Sequence, residues 1–271
     1  MTRHPLTRLR VLARREATTV LTTRAFGLLV VALAVLAAGL VSVSGAAASG
    51  YLPAVVDLLP ALELLVPLLA FTVGYRALLD DRRRGELAVL STFPVSRATV
   101  VASVLVGRGV ALTAGIVAAL LPTMGLVWFA GGPTTQLVAT HSSTDSAVLF
   151  LRLLSSTTLF GLAALSVAVA VSAVAGGTRS AAATLVALWV ALTAVVDLGL
   201  VEALDTLGSE AVLAVLALSP AGAYRGIVLQ TVVDVATAGS IRAAAPLASA
   251  VGLCCWVVGG AGVATYAIWR I

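Results

Sequence analysis

The sequence predicts an all-α membrane protein that crosses the bilayer six times. Of its 271 residues, 60% are hydrophobic and only 11% are charged, and the mean hydropathy is +1.09. Its charged residues are separated by long uncharged runs, and about 20 apolar residues suffice to cross a hydrocarbon core. These runs lie between Arg24 and Asp57, Arg108 and Asp145, Arg152 and Arg179, and Arg242 and Arg270. Such a composition leaves no room for a large soluble domain.

The predicted spans form a single transmembrane domain over residues 1–271. They cover residues 25–44, 54–79, 99–121, 147–175, 180–201 and 247–269. The second span is the least hydrophobic because it contains Asp57 and Glu63. Residues 202–246 precede the last span, and the apolar run Ala211–Leu218 within them is too short to cross a bilayer. We therefore expect a short re-entrant or interfacial element before the last span.

The segment before the first span, Pro5 to Thr23, is basic and amphipathic. Its apolar residues recur at helical spacing, while Arg8, Arg14 and Arg15 occupy other faces. The pattern fits a helix lying on the cytoplasmic leaflet, and it equally fits a positively charged tail that only fixes orientation.

The distribution of arginine predicts the orientation of the spans. With six spans, the N-terminal tail, the loop from Arg82 to Arg97, Arg179 and Arg270 all fall on one side. The opposite side then carries only Arg225 and Arg242 as basic residues. Because cytoplasmic loops are enriched in basic residues, both termini are predicted to be cytoplasmic and the segment 202–246 extracytoplasmic.

The residue types present argue against an enzyme. The chain contains no lysine, so it lacks the Gly-Lys-Ser/Thr of a Walker loop. Its two histidines are His4 and His141, and neither His-Glu-x-x-His nor Gly-x-Ser-x-Gly occurs. Soft ligands inside the predicted spans are limited to Met124, Cys254 and Cys255, too few for a copper relay. We therefore expect no catalytic residue, no metal site and no bound cofactor.

The loop between the second and third spans, residues 80–98, is the most unusual polar feature. Five charged residues and a glycine precede an apolar helical turn, and a proline ends it. Such an element could lie under the membrane and contact a cytosolic partner, or it could serve only orientation. The candidate contact residues are Asp81, Arg82, Arg83, Arg84, Gly85, Glu86, Leu87, Leu90, Pro94 and Arg97.

This loop, from Arg76 to Arg97, resembles the cytoplasmic signature of ABC-2 type permeases, the membrane subunits of ATP-driven transporters. The matching positions are Gly85, Leu87, Leu90, Pro94, Ser96 and Arg97. The resemblance implies that the loop is a coupling helix that docks on a separate ABC ATPase subunit. It also implies that ATP is hydrolysed by that partner and that two permease copies work together.

A second motif is similar to the segment before the last span of NosY-like permeases. It comprises Ser219, Pro220, Tyr224 and Arg225, where the branch has Asn-Pro-x-x-x-Tyr-Arg. That branch belongs to the NosDFY system, which helps to mature the copper centre of nitrous-oxide reductase. The resemblance implies a NosF-like ATPase and a NosD-like extracytoplasmic partner. Ser219 departs from the branch's asparagine, and arginines replace some acidic residues before Gly85.

Three polar residues within predicted spans are candidates for function: Glu63, Arg152 and Asp197. Glu63 lies about nine residues into its span, roughly 14 Å deep, where a carboxylate is costly. Arg152 could reach inward and pair with it. Such a pair could conduct cargo or only fix helix register. Three functions therefore stay open: a NosY-like permease, an exporter of another cargo (drug, lipid or peptide), and a non-transporting relay between an ATPase and an extracytoplasmic partner.

Overall fold

The computed structural model describes residues 5–93, 95–131, 145–206, 218–234 and 246–268. These residues form eleven α-helices and one π-helical segment, Leu229–Asp234. In chain order the helices are α1 Pro5–Leu21, α2 Arg24–Val43, α3 Ala46–Ser49, α4 Tyr51–Gly74, α5 Ala77–Arg83, α6 Glu86–Ser91, α7 Arg97–Ala130, α8 Ala147–Val174, α9 Thr178–Thr206, α10 Pro220–Val228 and α11 Pro246–Ala267. The all-helical class predicted from the sequence is confirmed for this part of the chain.

Five of these helices are long and apolar enough to cross a membrane: α2, α4, α7, α8 and α11. Helix α9 occupies the position of the fifth predicted span, and its stretch Thr178–Thr193 is apolar but shorter. Helix α7 continues to Ala130, nine residues beyond the predicted end of the third span at Leu121. Because Phe129 and Trp128 are apolar and exposed, this extension adds to the lipid-facing surface of the helix.

Helix α8 is the centre of the bundle. It packs against α4, α7, α10 and α11, and most of its residues are buried. Small residues such as Gly161, Ala164 and Ala168 let its neighbours approach closely, as is usual between helices in membranes. The element before the last span, α10, therefore packs against the most buried of the five candidate membrane-spanning helices.

Helix α1 packs along α7 through Ala13, Glu16 and Val20, which are all buried. The Arg108 side chain donates to the Glu16 carboxylate at 2.8 Å and also to the backbone carbonyl of Val73. The N-terminal segment is thus a packed helix, and the ion pair joins it to α7.

Asp145 ties the start of α8 to the start of α4. Its carboxylate accepts hydrogen bonds from the backbone N–H groups of Tyr51 at 2.6 Å and Leu52 at 2.8 Å. The first N–H groups of a helix have no partner within the helix, and the helix dipole favours a negative charge there. Asp145 therefore caps α4 from another part of the chain and brings the starts of α4 and α8 to one end of the bundle.

Candidate functional site

The segment between α4 and α7 folds into two short helices joined at Gly85. Helix α5 follows α4 after a two-residue turn, Tyr75 and Arg76, and Gly85 adopts a φ of 73° before α6 begins. This left-handed conformation is unfavourable for residues with a side chain, so glycine is required at the turn. The glycine of the sequence motif therefore sets the angle between α5 and α6.

Ion pairs hold α6 against α1 and α5. Arg15 of α1 donates to Glu86 at 2.6 Å, and Arg84 contacts both Asp81 at 2.9 Å and Glu86 at 3.0 Å. The hydrogen bond from Arg15 lowers the pKa of the Glu86 carboxyl below its ordinary value, an effect that partial desolvation opposes. Both charged groups of the Arg15–Glu86 pair are partly exposed, so the pair orients α6 more than it stabilises the fold.

The predicted contact residues of this loop face in different directions. Leu87 is buried and Leu90 packs partly against the core, whereas Val89 and Phe93 have exposed fractions of 59% and 57%. Arg83 is also exposed. Val89 of α6 and Phe93, two residues after the helix ends, thus form an exposed apolar surface beside charged groups.

The end of the loop begins the next span. The Ser96 side chain accepts a hydrogen bond from the N–H of Thr99 at 3.1 Å and so caps α7, in which Arg97 is the first residue. Pro94, which was also predicted to contact a partner, lies outside the described residues. A serine directly before a helix is a favoured N-cap, so this part of the motif has a structural reason.

A second polar cluster lies in the middle of the bundle. Arg225 of α10 forms a two-pronged ion pair with Glu63 of α4, with Nη2 at 2.6 Å from Oε1 and Nε at 3.2 Å from Oε2. The Glu63 side chain is 15% exposed and that of Arg225 is 39% exposed. Glu63 lies twelve residues after the start of α4 at Tyr51, so the pair is about 18 Å along the helix.

Arg152 is one partner that the sequence allows for Glu63, but the structure places its side chain elsewhere. Its Nη1 donates instead to the backbone carbonyl of Thr231 in the π-helical segment, at 2.7 Å. The partner is Arg225. The distribution of arginine predicts that this residue lies in an extracytoplasmic loop, whereas in the structure α10 lies level with the middle of α4. Asp197 lies in α9, and its side chain is not among those described.

The Ser219–Arg225 motif holds α10 in this position. The Ser219 side chain accepts from the N–H of Gly222 at 2.9 Å and caps the helix, and Pro220 occupies its first turn. The buried Tyr224 ring stacks on Phe160 of α8 with centroids 4.5 Å apart, and its hydroxyl lies 3.0 Å from Thr157 Oγ1. Each motif residue therefore either starts α10 or fastens it to α4 and α8.

Several of these contacts could not be found from the sequence. The predicted re-entrant run, Ala211–Leu218, lies outside the described residues except for Leu218, and the described helix starts at Pro220. Arg225 belongs to a recognisable motif, but the hydropathy of its surroundings does not indicate that it lies level with Glu63. The sequence also did not indicate that Glu16 is buried against Arg108, since a single acidic residue in a basic segment is usually exposed to solvent.

The described residues contain no group of three His, Cys, Asp or Glu side chains able to hold a metal ion. Cys254 and Cys255 are exposed free thiols on α11. The polar groups of the mid-bundle cluster are used in ion pairing and hydrogen bonding between helices. The first site is a partly apolar surface at one end of the bundle. The second is a set of polar contacts that joins α4, α8 and α10 at its middle.

Comparison with known proteins agrees with this picture. A protein of Pseudomonas aeruginosa described as "Probable ABC transporter permease protein NosY" is 31% identical over 218 residues, covering 76% of this chain and 74% of the relative. The family model of ABC-2 family transporter proteins matches residues 10–267. A permease of this kind is a multi-pass cell-membrane protein that has no nucleotide-binding motif of its own and works with an ATPase partner. The chain therefore belongs to the ABC-2 family and is the permease subunit of an ABC transporter.

Proposed function

We propose that the chain is driven by a separate, NosF-like ATPase subunit that docks on α6 and the turn that follows it. The observation that carries this proposal is the exposed apolar pair Val89 and Phe93 beside charged groups on α6. An apolar centre with a charged rim is the usual composition of a protein interface. The segment belongs to the arginine-rich side of the chain, which is the side expected to face the cytoplasm.

The proposed arrangement has six spans, with α9 as the fifth, and both termini in the cytoplasm. Helix α1 lies at the cytoplasmic interface, since its exposed face carries Arg10 and Arg14 next to Val11. Two copies of the chain form the working permease. This layout puts α10 between the membrane centre and the extracytoplasmic side, where residues 202–246 can contact a NosD-like partner.

Replacing Val89 and Phe93 together by serine tests the docking surface. We expect the doubly substituted chain to lose copurification of the ATPase subunit and ATP-dependent activity, because the apolar centre of the interface is removed. The measurement is the amount of ATPase subunit bound per permease after purification in detergent. Val43→Ser is the matched control, since Val43 is 90% exposed at the other end of the molecule. Unchanged ATPase binding by the double variant would refute docking at this surface.

For the biological role we propose NosY-like participation in maturing the copper centre of nitrous-oxide reductase. The likeness to the NosY of Pseudomonas aeruginosa and the Ser219–Arg225 motif support this role. The alternative is an exporter of a drug, lipid or peptide. A relay without transport is also supported by a specific observation, namely that one helix, α8, contacts both the coupling loop and α10.

Complementation separates these roles. Introduced with its own ATPase into a strain that lacks NosY, the chain is expected to restore copper-loaded, active nitrous-oxide reductase. The measurement is the copper content of the purified reductase. A Val89→Ser, Phe93→Ser chain provides the negative control, because it should be inserted in the membrane but not driven. If membrane-inserted protein accumulates and the reductase stays without copper, the NosY-like role is wrong and another cargo is indicated.

A further inference from the structure

Helices α5 and α6 together form the coupling segment. The C-terminal end of α8 accepts three hydrogen bonds from the first of these helices, α5. Arg82 donates from Nη1 to the carbonyl of Ala173 at 3.0 Å and from Nη2 to the carbonyl of Ala175 at 2.5 Å. The N–H of Leu78 donates to Ser172 Oγ at 3.1 Å. The last carbonyl groups of a helix lack partners within it, and the helix dipole favours a cation there. Helix α5 is thus bonded to the end of α8.

The other half of α8 holds α10 and the π-helical segment. Thr157 and Phe160 contact Tyr224, and Arg152 binds the carbonyl of Thr231. Between Thr157 and Ser172 the helix is continuous and largely buried, a length of about 22 Å. A displacement applied at its C-terminal end therefore reaches α10 without passing through a loop.

The neighbouring arginines lack this connection. Arg83 is exposed, and its guanidinium is only near Gly177 of the α8–α9 turn. Arg84 bonds to Asp81 and Glu86 within the coupling segment itself. The three consecutive arginines therefore make different contacts, although they are the same residue type in one run of the sequence.

We propose that Arg82 is a positioning residue that transmits movement of the coupling segment to α8, and through α8 to α10, without itself contacting the ATPase. The proposal rests on the proposed docking of an ATPase at α6 and adds the route by which the movement leaves that surface. The two donor groups of Arg82 suit this task, because a guanidinium can bind two carbonyl groups in one fixed geometry.

The test uses the full chain in complex with its ATPase subunit in lipid nanodiscs. In a Cys254→Ala, Cys255→Ala background, a Ser155→Cys substitution on the exposed outer face of α8 carries a bimane label. With Arg82 present, ATP is expected to shift the emission of the label. Arg82→Gln is expected to abolish the shift while ATPase binding and hydrolysis persist. Arg83→Gln, the control, should keep the shift, and Arg82→Lys should keep part of it.

The outcomes distinguish this proposal from the proposed function. A full emission shift in Arg82→Gln would overturn the positioning role alone. Loss of ATPase binding in Arg82→Gln would also overturn it, because Arg82 would then belong to the docking surface. Failure of the unsubstituted chain to bind the ATPase would refute the docking proposal, and the positioning role with it. Thermal unfolding of both glutamine variants identifies any general loss of folding, which would make Arg82 a structural residue only.

Discussion

Replacing Arg225 by methionine is expected to destabilise the protein by about 3 kcal/mol, because breaking a buried ion pair leaves the other charge without a partner. Glu63 would be left as a carboxylate halfway along a membrane-spanning helix, where ionised groups are costly. The value is at the lower end of the range for buried pairs because the Arg225 side chain is 39% exposed. The measurement is unfolding by SDS in mixed micelles.

The double variant Glu63→Gln, Arg225→Met provides the internal check. It removes both charges, so most of the lost stability should return, and a double-mutant cycle gives the coupling energy. Arg152→Met is the matched control, since it removes an arginine whose side chain donates to a backbone carbonyl, that of Thr231. If Arg225→Met were no more destabilising than Arg152→Met, the ion pair would not hold α10 to α4.

Substituting alanine for Gly260 is expected to cost about 1–3 kcal/mol through overpacking between α11 and α8. An added Cβ would lie 2.7 Å from both the carbonyl carbon and the oxygen of Ser166 and 2.8 Å from its Oγ. Two of these atoms belong to the backbone, so the helices must separate. The contact also includes a hydrogen bond from Ser166 Oγ to the carbonyl of Trp256, which separation would lengthen.

Gly259→Ala supplies the control on the same helix. Among the described residues, and apart from the backbone of α11 itself, no atom lies within 4 Å of a Cβ placed at Gly259. Both substitutions bring the same gain in helix propensity, and the difference between them therefore isolates the close packing. Equal stability of the two variants, measured by SDS unfolding, would show that α11 can move away from α8 at little cost.

The all-helical class was predictable because it depends on hydrophobicity summed over long runs. The same summation cannot reveal which charged residues meet across the bundle. Glu63 was recognised as unusual from its position in a span, but its partner depends on how deeply α10 enters, and no pattern in residues 218–234 states that depth. The pairing of Glu16 with Arg108 likewise joins residues that lie far apart in the chain.

The coupling loop shows a similar division. The sequence predicted the apolar turn, and the motif pointed to Gly85 and Ser96, whose structural roles follow local rules about φ angles and N-caps. The separate orientations of Arg82, Arg83 and Arg84 were not predictable, because they depend on where α8 ends. The motif therefore indicated the segment between α4 and α7. The contact that each arginine makes within this segment depends on the packing of α8, which is distant in sequence.

The contact between α1 and α7 has a consequence for biosynthesis. Glu16 leaves the ribosome long before Arg108, so the N-terminal helix is made without the residue that neutralises its buried carboxylate. Until α7 has entered the bilayer, α1 has no helix to pack against, and its apolar side remains exposed to lipid or chaperones. Stalled nascent chains ended before Arg108 should therefore leave this segment sensitive to protease, and longer ones should protect it.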